Sequence, residues 1–132
     1  MALETLSDAY LNSNAVRECF SSAQCLHHLL RFDSELACSQ AELGIIPSTA
    51  ATVICAQAAQ HNFDLRALKQ ATLECSNPAI PLVQQLTSAV AAVDQSAAAY
   101  VHWGSTSQDV VDSAAMLAAG RAMLVLDASL VR

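Results

Sequence analysis

An all-α fold is predicted for this chain by three features. Alanine is the commonest residue, only three glycines and three prolines interrupt 132 residues, and apolar side chains recur every three to four positions. Alanine and leucine favour helices while glycine and proline break them, and a three-to-four-residue apolar period marks one helical face.

The elements follow in order. Leu26, Leu29, Leu30, Leu36 and Ala37 predict a helix from about Ser22 to Leu43, ended by Gly44 with Pro47 beyond. Ser48 to Gln60 reads as a second helix and His61-Asn62 as a turn. Asp64 is placed to cap a short helix through about Leu73. In "CSNPAIPLV", Asn77 and Ile80 each precede a proline and are pushed towards extended backbone. That predicts a short rigid loop, with Pro81 as the first residue of a helix to about Val93. The last and longest helix is predicted from Ser107 to Arg132 without a stop signal, and 26 residues at about 1.5 Å each span roughly 40 Å. Gly120 lies inside it. Val110, Val111, Ala114, Leu117, Leu124 and Val131 lie roughly along one side, an apolar face expected to be buried by something outside this chain.

Composition narrows the function classes. The hydrophobic fraction is 54% and the charged fraction 14%, against about a quarter charged in ordinary soluble domains. So much apolar side chain predicts a surface shared with another subunit or a further part of the same protein. A net charge of −6 with six Lys plus Arg argues against nucleic acid, which needs a basic face. Asp109, Asp112, Arg121 and Asp127 interrupt the most apolar stretch, so no membrane-spanning helix is expected. The start, "MALETLSD", is acidic where a secretory leader would be basic. The five cysteines form no Cys-x-x-Cys pair and read as small buried hydrophobes in a reducing compartment. His27 and His28 lack a second ligand four residues on, so no metal site is expected.

One stretch stands out: "YVHWGSTSQDVVDSAAML", residues 100–117. His102, Trp103, Ser105, Thr106, Ser107 and Gln108 crowd around Gly104 just ahead of a helix. Thr106-x-x-Asp109 has the form of a capping box. A helix N-terminus presents unpaired N–H groups and partial positive charge, which suits a carboxylate or phosphate, and His102 is able to add a charge-assisted bond. The residues alone leave two readings open, an anion site and an elaborate cap. For Ser76 and Asn77 the residues alone favour turn chemistry and capping.

His102-x-Gly104-x-Thr106-Ser107-x-Asp109 resembles the first conserved block of the fumarase/aspartase superfamily. The wording "YVHWGSTSQDVVDSA", preceded by "SNPAIPLV" and by the opening "SDAYLNSNAVRECFSSAQCLHHLLRFDSELACSQAELGIIP", is similar to its 3-carboxy-cis,cis-muconate cycloisomerase branch across essentially the whole chain. Two departures stand out. Adenylosuccinate relatives usually carry a histidine in the region of Cys75-Ser76-Asn77, and cycloisomerase relatives commonly carry glycine where Ser76 stands.

The resemblance implies an N-terminal helical domain over residues 1–104 and the start of a central helical bundle over 105–132. It implies an enzyme fragment for closing a 3-carboxymuconate to a lactone in aromatic catabolism, inactive alone. The superfamily's Thr-His block and its mobile Gly-Ser-Ser-x-x-Met-Pro-x-Lys loop, source of the catalytic serine, do not occur in these residues. In the superfamily each active site combines blocks from three subunits of a homotetramer. Thr106, Ser107, His102, Ser105 and Asn77 are the implied substrate-binding residues, His102 the candidate assisting residue, and Asp109 a cap. The implied partners are a small polycarboxylate substrate and further copies of the chain, with no cofactor, metal, nucleic acid or membrane, in the cytoplasm. The alternatives are a purine or amino-acid lyase fragment of the same superfamily, and a non-catalytic helical interaction module.

Overall fold

A computed structural model describes residues 13–60 and 62–131. Its helices are α1 (Asn14–Cys19), α2 (Ser22–Glu42), α3 (Ser48–Gln60), α4 (Leu65–Cys75), α5 (Ala79–Ala91) and α6 (Ser107–Leu130), with a 3-10 turn at Ala97–Tyr100 before α6. No strand occurs among the described residues, so the all-α expectation holds. His61, half of the expected turn, and Arg132, the expected end of the last helix, lie outside them.

Side-chain caps set the starts. Ser13 accepts from Val16 N, Ser21 from Gln24 N, and Asp64 from Arg66 N and Ala67 N, each satisfying N–H groups that a first turn leaves unpaired. α2 ends where Gly44 turns left-handed at φ +70°. The helix after Asp64 runs two residues past Leu73, to Cys75. Ser76 then takes the left-handed C-cap position at φ 57°, a conformation that suits glycine.

α5 corrects one expectation. It starts at Ala79, so Pro81 is its third residue rather than its first, and it ends at Ala91 rather than Val93. First-turn N–H groups have no intrahelical partner, so a proline there removes no helical bond. Asn77 Oδ1 accepts from Ala79 N at 2.9 Å, which lets the helix begin earlier and draws Ile80 into it.

The core gathers Ile54 of α3, Leu82, Leu86 and Val90 of α5, and Val110 of α6, all fully buried. α2 packs along both α3 and α6, and α5 packs on α3, α4 and the 3-10 turn. On α6 the buried stripe is Val110, Ala114, Ala118 and Ala122. Farther along the expected apolar face, Leu124 and Val131 are left exposed by this chain, at 71% and 81%. Alanines at four-residue intervals let α2 approach closely, since the contact side chains set the distance between helix axes.

The cysteines also depart from expectation. Cys19 is buried, but Cys25, Cys38 and Cys75 are exposed and Cys55 is half-buried. The inward positions of α2 are 28, 29, 30, 33 and 37, which leaves Cys38 off that face, while Cys25 lies one turn before Leu29 in the first turn of the helix. Cys38 and Cys55 bring their sulfurs to 3.0 Å. Burial, with Cys38 alongside, pushes the Cys55 thiol up to about 12. Among the described residues no helix is long and apolar enough to cross a membrane, and no group of three or more His, Cys, Asp or Glu is placed to hold a metal ion.

Candidate functional site

Between the 3-10 turn and α6 the chain reverses through two left-handed residues, His102 at φ 58° and Gly104 at φ 70°. Glycine adopts that conformation freely, whereas a side-chain-bearing residue is strained there and must be held by its surroundings. Two side chains of α2 do the holding. Asp33 Oδ1 lies 2.7 Å from His102 Nδ1, the length of a charge-assisted hydrogen bond. Gln40 Nε2 donates to Trp103 O at 2.8 Å. Asp33 and Gln40 stand seven residues apart, hence on one face of the helix. Trp103 also packs against Tyr100, ring centroids 5.8 Å apart.

The loop delivers the chain to the N-terminus of α6, where the capping box is complete. Thr106 Oγ1 accepts from Asp109 N at 3.4 Å, and Asp109 Oδ2 accepts from Thr106 N at 2.8 Å. The Thr106 hydroxyl also donates to Asp109 Oδ2 at 2.8 Å. The backbone N–H and then the hydroxyl of Thr106 hold the Asp109 carboxyl below its ordinary value. Asp109 therefore caps, and it engages both the donor and an acceptor of the Thr106 hydroxyl. Ser105 Oγ lies 3.4 Å from both Thr106 O and Asp109 Oδ2, at the outer limit of a hydrogen bond.

Ser107 differs. Half-buried at the first position of α6, its hydroxyl makes no hydrogen bond to another described residue, and first-turn N–H groups point out beside it. Asn77 shares no hydrogen bond with this run; its side chain is spent on the start of α5. Alongside the run lies an open depression of about 450 Å³ bordered by Phe32, Leu36, Gly104, Ser105, Asp109 and Asp112. No lysine or arginine lines it, and two carboxylates do. The polar groups around it are hydroxyls and carboxylates rather than basic side chains.

Comparison with known proteins gives this geometry a setting. A 3-carboxy-cis,cis-muconate cycloisomerase from Bradyrhizobium diazoefficiens is 43% identical over 131 residues, 99% of this chain and 29% of that protein. The solved 3-carboxy-cis,cis-muconate lactonizing enzyme of Pseudomonas putida matches with a TM-score of 0.86 at 37% identity, over 95% of this chain and 28% of its own. Over the length it spans, the chain is similar to 3-carboxy-cis,cis-muconate cycloisomerases. A nitrosuccinate lyase from Streptomyces davaonensis is similarly placed, 42% identical over 89% of this chain and 25% of that protein. The chain spans less than a third of the length of these relatives. No family model matches it.

Sequence reasoning picked out His102, Ser105, Thr106 and Ser107, which the structure brings together at one helix start. It missed Asp33 and Gln40. A signal for Asp33 existed: it falls four residues after Leu29 and four before Ala37, a carboxylate in the middle of an apolar stripe.

Proposed function

We propose that this chain supplies one block of a cycloisomerase-type active site, in which the start of α6 binds a carboxylate of a 3-carboxymuconate. In the reaction one substrate carboxylate adds across a double bond to close a lactone. A proton is delivered to the carbon next to another carboxylate, where negative charge accumulates on the way. Such charge is stabilised by donors fixed in advance. Ser107 and the first-turn N–H groups of α6 are those donors, with His102 bonding or orienting the substrate and Ser105 beside them. Thr106 contributes mainly by fixing the turn, and Asn77, outside the depression, contributes by starting α5. Residues 1–104 form the N-terminal domain and 105–132 open the central bundle.

The observation that carries the reading is the uncommitted Ser107 hydroxyl at a helix N-terminus beside His102, in a chain about 40% identical to cycloisomerases. The absence of basic residues around the depression supports the division of labour. A polycarboxylate needs cationic partners, and these come from the other blocks of a homotetrameric enzyme. The setting is a cytoplasmic protein of aromatic catabolism by the protocatechuate, or β-ketoadipate, route. The nitrosuccinate lyase likeness favours one second reading, β-elimination from a small succinate derivative by the same donors.

The test is a hybrid in which this chain replaces the matching segment of the Pseudomonas putida enzyme. The hybrid is expected to lactonise 3-carboxy-cis,cis-muconate, and the 132-residue chain alone is expected not to. A folded, tetrameric hybrid without lactonisation refutes the reading, and turnover of nitrosuccinate in its place selects the second.

A further inference from the structure

We propose that Asp33 is a positioning residue for His102: from the buried face of α2 it accepts the imidazole's Nδ1 proton and so presents Nε2 as the ring's working nitrogen. The inference rests on the reading of His102 as a substrate contact and adds a group from another helix to that site.

Three observations converge. Asp33 is 1% exposed, and an ionised carboxylate taken out of water carries a large desolvation penalty. It meets that penalty with a single partner: Oδ1 faces His102, while Oδ2 is buried and makes no hydrogen bond. An apolar residue here would extend the stripe of Leu29, Leu30 and Ala37 without that penalty, so packing alone does not account for an aspartate.

The second observation is the backbone of His102, held at φ 58°. Desolvation and backbone strain meet at one contact between residues 69 apart in sequence, and strain of this kind collects where geometry serves function. The third is the clamp from Gln40 to Trp103 O, which fixes the next residue of the loop from the same helix face. The ring is left little freedom to turn.

The chemistry follows from what each group is able to donate. An ionised carboxylate only accepts, so Nδ1 carries the proton, and in the neutral ring Nε2 is then the acceptor. Nε2 makes no hydrogen bond to any described residue, and His102 is near enough to Asp109 for its charge to help lower that carboxyl. Neutral, Nε2 takes a proton; protonated, it donates to a carboxylate.

The experiment is 15N NMR of the histidine side chains in the 132-residue chain at a pH where His102 is neutral. The Nδ1-protonated tautomer is expected in the native chain. Asp33→Ala is expected to shift it towards the Nε2-protonated form, and Asp33→Glu to recover part of the native signal. A native His102 protonated on Nε2 overturns the proposal, as does an Asp33→Ala chain that keeps the Nδ1 form. Should Asp33→Ala fail to fold, the native tautomer still decides. In the hybrid enzyme Asp33→Ala is expected to lower kcat about tenfold or more, with a smaller change in KM; unchanged kcat overturns the positioning role. An unaltered hybrid without activity sinks the functional reading instead, and the tautomer then decides the Asp33–His102 pair by itself.

Discussion

At the N-terminus of α6 two adjacent hydroxyls occupy different situations, which makes their roles separable. Thr106 is committed to Asp109 as donor and acceptor, so Thr106→Val is expected to lower stability by about 1 kcal/mol, the usual value of a cap. Ser107 is uncommitted, so Ser107→Ala is expected to shift stability by less than about 0.5 kcal/mol while lowering turnover of the hybrid about a hundredfold. Steady-state kinetics beside thermal melting on the same samples reads both, and near-normal turnover in Ser107→Ala would reduce the run to capping. A third residue carries its own test. Ser76 holds φ 57° at the end of α4 while exposed. Left-handed backbone disfavours any side chain by roughly 1–2 kcal/mol, and glycine gives part of that back through its freer unfolded chain. Ser76→Gly is thus expected to raise stability by about 0.5 kcal/mol in denaturant titration, and a loss of stability would contradict the strain. The Thr106–Asp109 cap was legible in sequence because its partners lie three residues apart. The Asp33–His102 pair was not, because only the packing of α2 across the loop brings residues 69 positions apart into contact.

The helices were legible in the same graded way. Caps and glycines are local, so Asp64, Thr106 and Gly44 marked boundaries near where they fall. Pro81 misled because proline's exclusion from helices applies to the interior and lapses in the first turn. The buried stripe of α6 was harder, since alanines carry little hydrophobic signal and only the neighbouring helix decides that Ala114, Ala118 and Ala122 face inward. The outcome is a helix whose larger apolar side chains face out: Met116, Met123, Leu124 and Leu130 are 66–85% exposed. A row of that kind is favourably buried against another surface, at about 25 cal/mol per Å² of apolar area removed from water. The isolated chain is therefore expected to self-associate through α6. Met123→Glu with Leu124→Glu is expected to shift sedimentation towards monomer while leaving the melting temperature nearly unchanged. Strictly monomeric sedimentation of the unaltered chain would contradict this role for the row.

Taken as a whole, the molecule carries two buried polar side chains in the core of α2, Asp33 and His28, and they behave differently. Asp33 has a partner, whereas both ring nitrogens of His28 are buried without a hydrogen bond. Burial first, then the positive charges of His27, Arg31 and Arg121, hold the His28 imidazolium below its ordinary value of 6.5. In the unfolded chain the same ring titrates near that ordinary value. Above it both states carry neutral rings and pH has no leverage through His28. Below it the unfolded chain binds a proton that the folded chain resists, so unfolding takes up protons and stability falls as pH drops towards the lowered folded value. The carboxyls of Asp94 and Asp109 are also held low, from 3.8, and their stabilisation is lost only in more acid solution. The two windows are separate. Denaturant titrations from pH 7.5 to 5 are therefore expected to show stability declining through the lower sixes. In His28→Leu, which keeps the site apolar and removes the proton acceptor, that decline is expected to flatten. The comparison isolates His28 because His27, Arg31 and Arg121 remain in both proteins, and a decline of equal slope in His28→Leu would assign the acid sensitivity to another group.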